Sequence, residues 1–154
     1  MADAEELPPV DQLAITNLLA RYCVLLDLAD IDGWVGLFTS DAGFDIDGRT
    51  YRGHDGLRRL MRTAQRGTHL ANPPVIEPVG PGRVRTTRNA LFVNRHNGSL
   101  RHTLYRDEVV RTADGWRIHS VVCRFVTGDG LVVWPEPGFE SPVHGIDLPD
   151  WADA

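Results

Sequence analysis

The spacing of apolar positions changes partway along this chain, from a helical period to a strand period. Ile15, Leu18, Leu19, Tyr22, Leu25, Leu26 and Ala29 recur at helical spacing, which predicts an amphipathic helix over 11–29, with Asp11 as its N-cap behind Pro8-Pro9. Trp34, Leu37 and Phe38 predict a second, short helix that Asp41-Ala42-Gly43 breaks. Phe44-Asp45-Ile46 alternates like a strand, and Asp47-Gly48 favours a tight hairpin turn into a return strand from Tyr51 to Gly53. Leu57, Leu60, Met61 and Ala64 give a third helix, with Gly67 as its stop. From there the period becomes two. Strands are predicted over 68–78, 83–95, 100–111 and 116–127, with hairpin turns at Asn97-Gly98 and Asp114-Gly115.

Helices followed by a long antiparallel meander predict an α+β fold, about three helices packed on a curved sheet. Such a sheet leaves a concave space between its inner face and the helices, the usual place for a small ligand. The chain's 154 residues suit one core. That core is expected over 11–127, after a disordered start at 1–10. The stretch 128–154 breaks the pattern: it carries prolines with Trp134 and Trp151, and is expected to pack partly on the body, over the cavity mouth or a subunit interface.

Charge and composition narrow the function. The formal charge is −5 with basic residues scattered along the chain, so no basic face for nucleic acid is expected. Apolar runs are too short to cross a bilayer, and the start MADAEELPPV does not read as a signal peptide; a cytoplasmic location is expected. Cys23 and Cys123 lie in apolar surroundings and read as buried free thiols. With no zinc spacing, phosphate loop or dinucleotide fingerprint, no cofactor is expected, and chemistry would rest on side chains alone.

Several side chains could carry that chemistry. Tyr22 lies on the apolar stripe of the first helix, as a core tyrosine or as a donor to a substrate oxygen. Asp27 follows five residues later, roughly 140° around an ideal helix, which lets it point inward only from the edge of the apolar face. His69 begins the first long strand, where a histidine beside a cavity can exchange protons near neutral pH. His102 alternates with Leu100 and Leu104. The last strand places Trp116, Ile118, Ser120, Val122, Arg124 and Val126 on one face by simple alternation. Arg124 would then need a carboxylate such as Asp27, or an anionic or carbonyl-bearing ligand. Arg83, Arg85, Arg88, Asn89 and Arg95 make one strand polar, as a wet outer face would be.

The order of these features resembles that of SnoaL-like proteins of the nuclear transport factor 2-like superfamily. Arg21-Tyr22, Asp27, Asp30, Trp34, Leu37-Phe38 and Asp41-Ala42 resemble the family's opening, and Gly53-His54-Asp55-Gly56-Leu57 its strand-to-helix segment. Thr68-His69-Leu70-Ala71-Asn72-Pro73, Tyr105-Arg106-Asp107 and Gly115-Trp116-Arg117-Ile118, ending at Arg124, resemble its later strands. The resemblance implies a cone-shaped α+β barrel, a homodimer through the outer sheet face and a small hydrophobic organic ligand. Tyr22, Asp27 and His69 resemble the tyrosine, aspartate and histidine of the dehydratase branch, which includes scytalone and bile-acid dehydratases. Arg124 resembles a late arginine of that branch, and His102 is a possible counterpart of a second pocket histidine. Here the residue after Tyr22 is Cys23, where scytalone dehydratase has an acid.

These residues together lead to an expected cofactor-independent lyase (dehydratase) or isomerase acting on a cyclic hydroxy-carbonyl compound of steroid or polyketide type. Tyr22, Asp27 and His69 would be catalytic, with Arg124, His102, Trp34 and Phe38 binding substrate. Ketosteroid isomerases, polyketide cyclases and non-catalytic oxygenase subunits share the fold, so the alternative is a binding protein or an oxygenase-associated small subunit.

Overall fold

The computed structural model describes residues 7–46, 48–127 and 130–131; Trp134, Trp151 and nearly all of the expected extension lie outside them. Helix α1 spans Pro9–Asp27, α2 Ile31–Val35 and α3 Gly53–Thr63. The strands are β1 (Phe38–Ile46), β2 (Arg49–Arg52), β3 (Gly67–Ala71), β4 (Val75–Gly80), β5 (Arg83–Asn94), β6 (Leu100–Thr112), β7 (Gly115–Thr127) and β8 (Gly130–Leu131). They form one sheet in the order β2-β1-β7-β6-β5-β3, with β4 also on β5 and β8 on β7. The α+β layer is the one expected. The sheet is mixed rather than wholly antiparallel, because β1 runs parallel to β7, and it stays open between its β2 and β3 edges.

Local chemistry moves several boundaries. The first helix begins at Pro9, with Pro8 in the capping position, since proline's fixed φ suits the first helical turn. Asp11 is thereby inside the helix. Its carboxylate accepts from Arg111 Nη1 at 2.6 Å and from Trp116 Nε1 at 2.9 Å, tying the helix start to β6 and β7. Asp30 caps α2 by accepting from Gly33 N at 2.9 Å. Phe38, expected on that helix, is the first residue of β1.

Gly67 is not a helix stop, for α3 ends at Thr63 and Gly67 already pairs with Asn94. A Cβ at Gly67 would lie 2.1 Å from the Val93 carbonyl oxygen and 2.6 Å from the Phe92 ring. Glycine is needed there for close approach to β5. The predicted strand 68–78 is two pieces, β3 and β4, both antiparallel to β5. Asn72-Pro73-Pro74 separates them, as two residues without N–H groups must.

All three helices lie on the inner face of the sheet, around one core that includes Ile15, Leu19, Trp34, Leu57, Met61, Val109 and Ile118. Strand β5 contributes Val84, Thr86, Arg88, Ala90 and Phe92 to that side, all buried. A bulge then alters β7. Val109 pairs with Ile118 but Glu108 pairs with Ser120, so one extra residue enters near His119. Inner positions before it are Trp116 and Ile118; beyond it they are Val121, Cys123 and Phe125. An inserted residue transfers every later side chain to the opposite face.

Candidate active site

Between the helices and the inner face of the sheet lies a cavity of about 500 Å³, within the usual range for small-molecule sites. Seven aromatic residues line it: Tyr22 from α1, Trp34 from α2, Phe44 and Tyr51 from β1 and β2, and Phe92, Tyr105 and Phe125 from the long strands. Polar groups enter this apolar wall at few points, chiefly His69, Thr103, Arg101 and Arg49.

Asp27 ends α1, and the helix lies directly against β3. Its carboxylate accepts from the His69 backbone N–H at 2.9 Å and meets His69 Nδ1 at 2.6 Å. Both contacts follow from the position of Asp27 around the helix. Tyr22 faces the cavity, while Asp27, offset around the axis, reaches the strand beside it and supports the histidine from behind. Asp27 itself is not part of the cavity wall. The angle that seemed to keep the two residues apart gives each its own place.

The electrostatics define the resting state of the histidine. Burial pushes the His69 pKa below its ordinary value, and the Asp27 hydrogen bond and charge oppose that shift without cancelling it. The imidazole is therefore neutral at pH 7. A carboxylate accepts only, so Nδ1 carries the proton and donates to Asp27. Nε2 is left as the basic atom on a ring that lines the cavity. The Phe92 ring packs against the imidazole, 4.8 Å away between centroids.

Tyr22 is 2% exposed, and burial raises its pKa well above that of a free phenol. It stays protonated at any physiological pH and can donate. Its ring is fixed by Trp34, Phe38 and Tyr105, at centroid distances of 5.5, 6.2 and 6.2 Å. Trp34 lines the cavity, with a buried indole N–H that has no hydrogen-bond partner among the described residues. Phe38 does not reach the cavity; it stacks 4.7 Å behind Trp34.

Two further residues expected to bind substrate, besides Phe38, lie elsewhere. Beyond the β7 bulge, Arg124 turns to the outer face, where it pairs with Asp45 of β1 and donates to the Cys123 carbonyl at 2.8 Å. It has a carboxylate partner, and that partner is not Asp27. His102 pairs with Leu91 on the outer face of β6, whereas Arg101 and Thr103 on either side of it line the cavity.

The sequence reading also missed two interior groups. Arg88 is 2% exposed, not part of a wet face. It donates to Asp107 through Nε at 2.9 Å and Nη2 at 3.3 Å, and Thr86 Oγ1 donates to the same carboxylate at 3.0 Å. Its guanidinium lies between the rings of Tyr22 and Tyr105, 4.5 and 4.3 Å from their centroids. Alternation within β5 carried this signal, since Arg88 shares parity with Val84 and Phe92. Arg101 is the second such group. Among the described residues no set of three or more His, Cys, Asp or Glu side chains could hold a metal, and no helix is long and apolar enough to span a membrane.

An open, curved sheet with three helices on its inner face and an aromatic cavity between them is the nuclear transport factor 2-like, cystatin-like fold. Residues 10–122 match the family model of the SnoaL-like domain, and the chain belongs to that family. No curated protein matches it. Among solved structures, it is 27% identical to a variant of Rv3472, a protein of unknown function from Mycobacterium tuberculosis, with TM-score 0.68 over 75% of this chain and 76% of that one. A hexachlorocyclohexane dehydrochlorinase, LinA-type3 from Novosphingobium barchaimii, shares the fold at 18% identity and TM-score 0.68, over 86% of this chain and 97% of the other. A ketosteroid isomerase-like protein from Erwinia carotovora atroseptica does so at 13% identity and TM-score 0.68, over 78% and 99%.

Proposed function

We propose that this protein is a cofactor-independent lyase or isomerase that moves a proton on a small cyclic hydroxy-carbonyl compound. The observation that carries the reading is the contact between His69 Nδ1 and Asp27 at 2.6 Å, on the wall of an aromatic cavity. A neutral imidazole whose tautomer is fixed by a carboxylate is a general base ready for use at neutral pH. The aromatic wall suits a flat or alicyclic hydrophobic ligand.

In the proposed reaction, His69 Nε2 removes a proton from the carbon next to the carbonyl. The C–H electron pair passes into an enolate, whose oxygen accepts a hydrogen bond from the Tyr22 hydroxyl. In the lyase direction the enolate collapses, the bond to a β-hydroxyl breaks, and that oxygen leaves as water with the proton held on His69. In the isomerase direction the same proton returns to another carbon of the dienolate. Asp27 orients the ring and stabilises the imidazolium, and Trp34 forms the floor.

The test is turnover of a panel of cyclic hydroxy-ketones by wild type, His69→Ala and Asp27→Asn, with thermal melts run alongside. Loss of the base is expected to lower kcat/KM by about 10²–10⁴-fold, and Asp27→Asn to lower it by a smaller factor, in proteins that melt as sharply as wild type. Turnover unchanged in His69→Ala removes His69 from the reaction.

A further inference from the structure

Neighbouring strands β5 and β6 each bring an arginine to the inner face of the sheet, and the two have opposite surroundings. Arg88 has its counter-ion inside the protein, in Asp107. Arg101 has none: among the described residues no carboxylate pairs with it. Its guanidinium lies 4.4 Å from the Phe125 ring centroid and 5.7 Å from that of Phe92. One of its five N–H donors is engaged, by Nη2 donating to Gln65 Oε1 at 2.8 Å. The side chain is half-buried and lines the cavity.

Phe92 links this cation to the proposed base, since its ring also touches His69. Arg101 and His69 thus flank one aromatic side chain on the same wall. Asp27 does not pair with Arg101; its carboxylate is hydrogen-bonded to the His69 ring and backbone. A guanidinium placed between ring faces, clamped by a neutral amide and without an acid among the described residues, is arranged to receive an anion from the cavity. The planar fork favours a carboxylate, which can accept two parallel N–H bonds.

We infer that Arg101 is a specificity-determining residue that binds a carboxylate on the ligand, so that the substrates are ring compounds bearing an acid group. This rests on the reading of the cavity as an acid–base site and narrows its substrate class to cyclic carboxylates. The acid group, held at Arg101, would set the ring carbons against the aromatic wall and one C–H bond beside His69. Arg49, also on the cavity wall, is solvent-exposed on the edge strand β2, where water screens its charge.

Binding can be measured without turnover, by isothermal titration of 2-naphthoate and the isosteric 2-naphthamide at about pH 8, above the histidine range. Wild type is expected to bind the carboxylate about ten-fold or more tightly than the amide, as one charge-assisted pair allows. Arg101→Gln should erase the preference and Arg101→Lys, which keeps the charge and loses the fork, should retain part of it. Arg49→Gln should keep it within about two-fold. Equal binding of the two probes by wild type, no binding of naphthoate at millimolar concentration, or an undiminished preference in both Arg101 variants each overturns the assignment. The outcomes separate the two proposals. Turnover lost in His69→Ala without a carboxylate preference leaves the acid–base reading standing and removes this one. A preference lost only in Arg101→Gln, with turnover indifferent to His69, does the reverse.

Discussion

Arg88 and Arg101 stand on neighbouring strands, project into the same interior and each contact two aromatic rings, yet they belong to different parts of the molecule. At the closed end, Arg88, Asp107 and Thr86 satisfy one another with hydrogen bonds of 2.9–3.3 Å. Burial disfavours the Arg88 charge, and Asp107 beside it overcomes that, holding the guanidinium more firmly protonated than a free arginine. At the open end, Arg101 has, among the described residues, ring faces and one amide. The comparison separates two uses of buried charge. A cation balanced inside the protein fixes the scaffold, here by wedging Tyr22 against Tyr105, whereas one left unbalanced on a cavity wall keeps its binding capacity for a ligand.

The largest expected effect breaks this comparison at the closed end. Arg88→Ala leaves Asp107 as an uncompensated carboxylate in the core, and should cost about 3–5 kcal/mol of stability. Arg101→Ala exposes no buried acid and removes contacts at a half-exposed position, with an expected cost of about 1 kcal/mol or less. Urea melts of the two variants measure the difference directly. Similar losses would mean that Arg101 is as structural as Arg88.

A second, smaller effect sharpens the contrast between scaffold and site through pH. The His69 pKa lies below its ordinary value of about 6.5, so between those two values the unfolded chain binds more protons than the folded one. Stability contributed by the neutral ring is therefore fully present above about pH 6.5 and falls as the pH drops toward the folded-state value. Activity should follow the same group, with kcat/KM declining on an acid limb whose midpoint is below 6.5. No alkaline limb from Tyr22 is expected below about pH 10, since burial raises that phenol. A pH–rate profile beside pH-dependent melts checks both. An acid limb that survives His69→Asn with an unchanged midpoint would assign it elsewhere.

Much of this arrangement can be read in the sequence where period and punctuation agree. The apolar stripe of α1, the hairpin glycines and the alternation of β6 place Tyr22, His69 and Tyr105 on elements that must meet around one core. The dyad is harder to foresee, because Asp27 reaches His69 only through the packing of α1 against β3, a tertiary fact with no local signature. Arg124 was misplaced for a definite reason. Strict alternation from Trp116 assigns it inward, and a single inserted residue near His119 reverses that parity. The proline pair at 73–74 carried the signal for the break between β3 and β4, which a single strand drawn over 68–78 overlooks. Arg88 shows a different failure: its parity pointed inward, but a charged residue suggested solvent, and its partner Asp107 lies 19 residues away on the next strand.

The smallest effect concerns that misplaced arginine and separates outer face from inner. Arg124 and Asp45 form an ion pair behind the sheet, with the arginine 5% and the aspartate 27% exposed in their side chains. Neither lines the cavity. Arg124→Gln removes a buried charge and leaves Asp45 able to reach water and its own neighbours Gly48 N and Thr50 Oγ1, so the expected stability loss is about 1–2 kcal/mol. The carboxylate preference and the turnover of the cavity should both remain within about two-fold of wild type, because the β7 backbone and the inner residues Cys123 and Phe125 keep their places. If Arg124→Gln instead reproduced the loss of carboxylate preference expected for Arg101→Gln, the two faces of β7 would be coupled and the division between scaffold charge and ligand charge would fail at that strand.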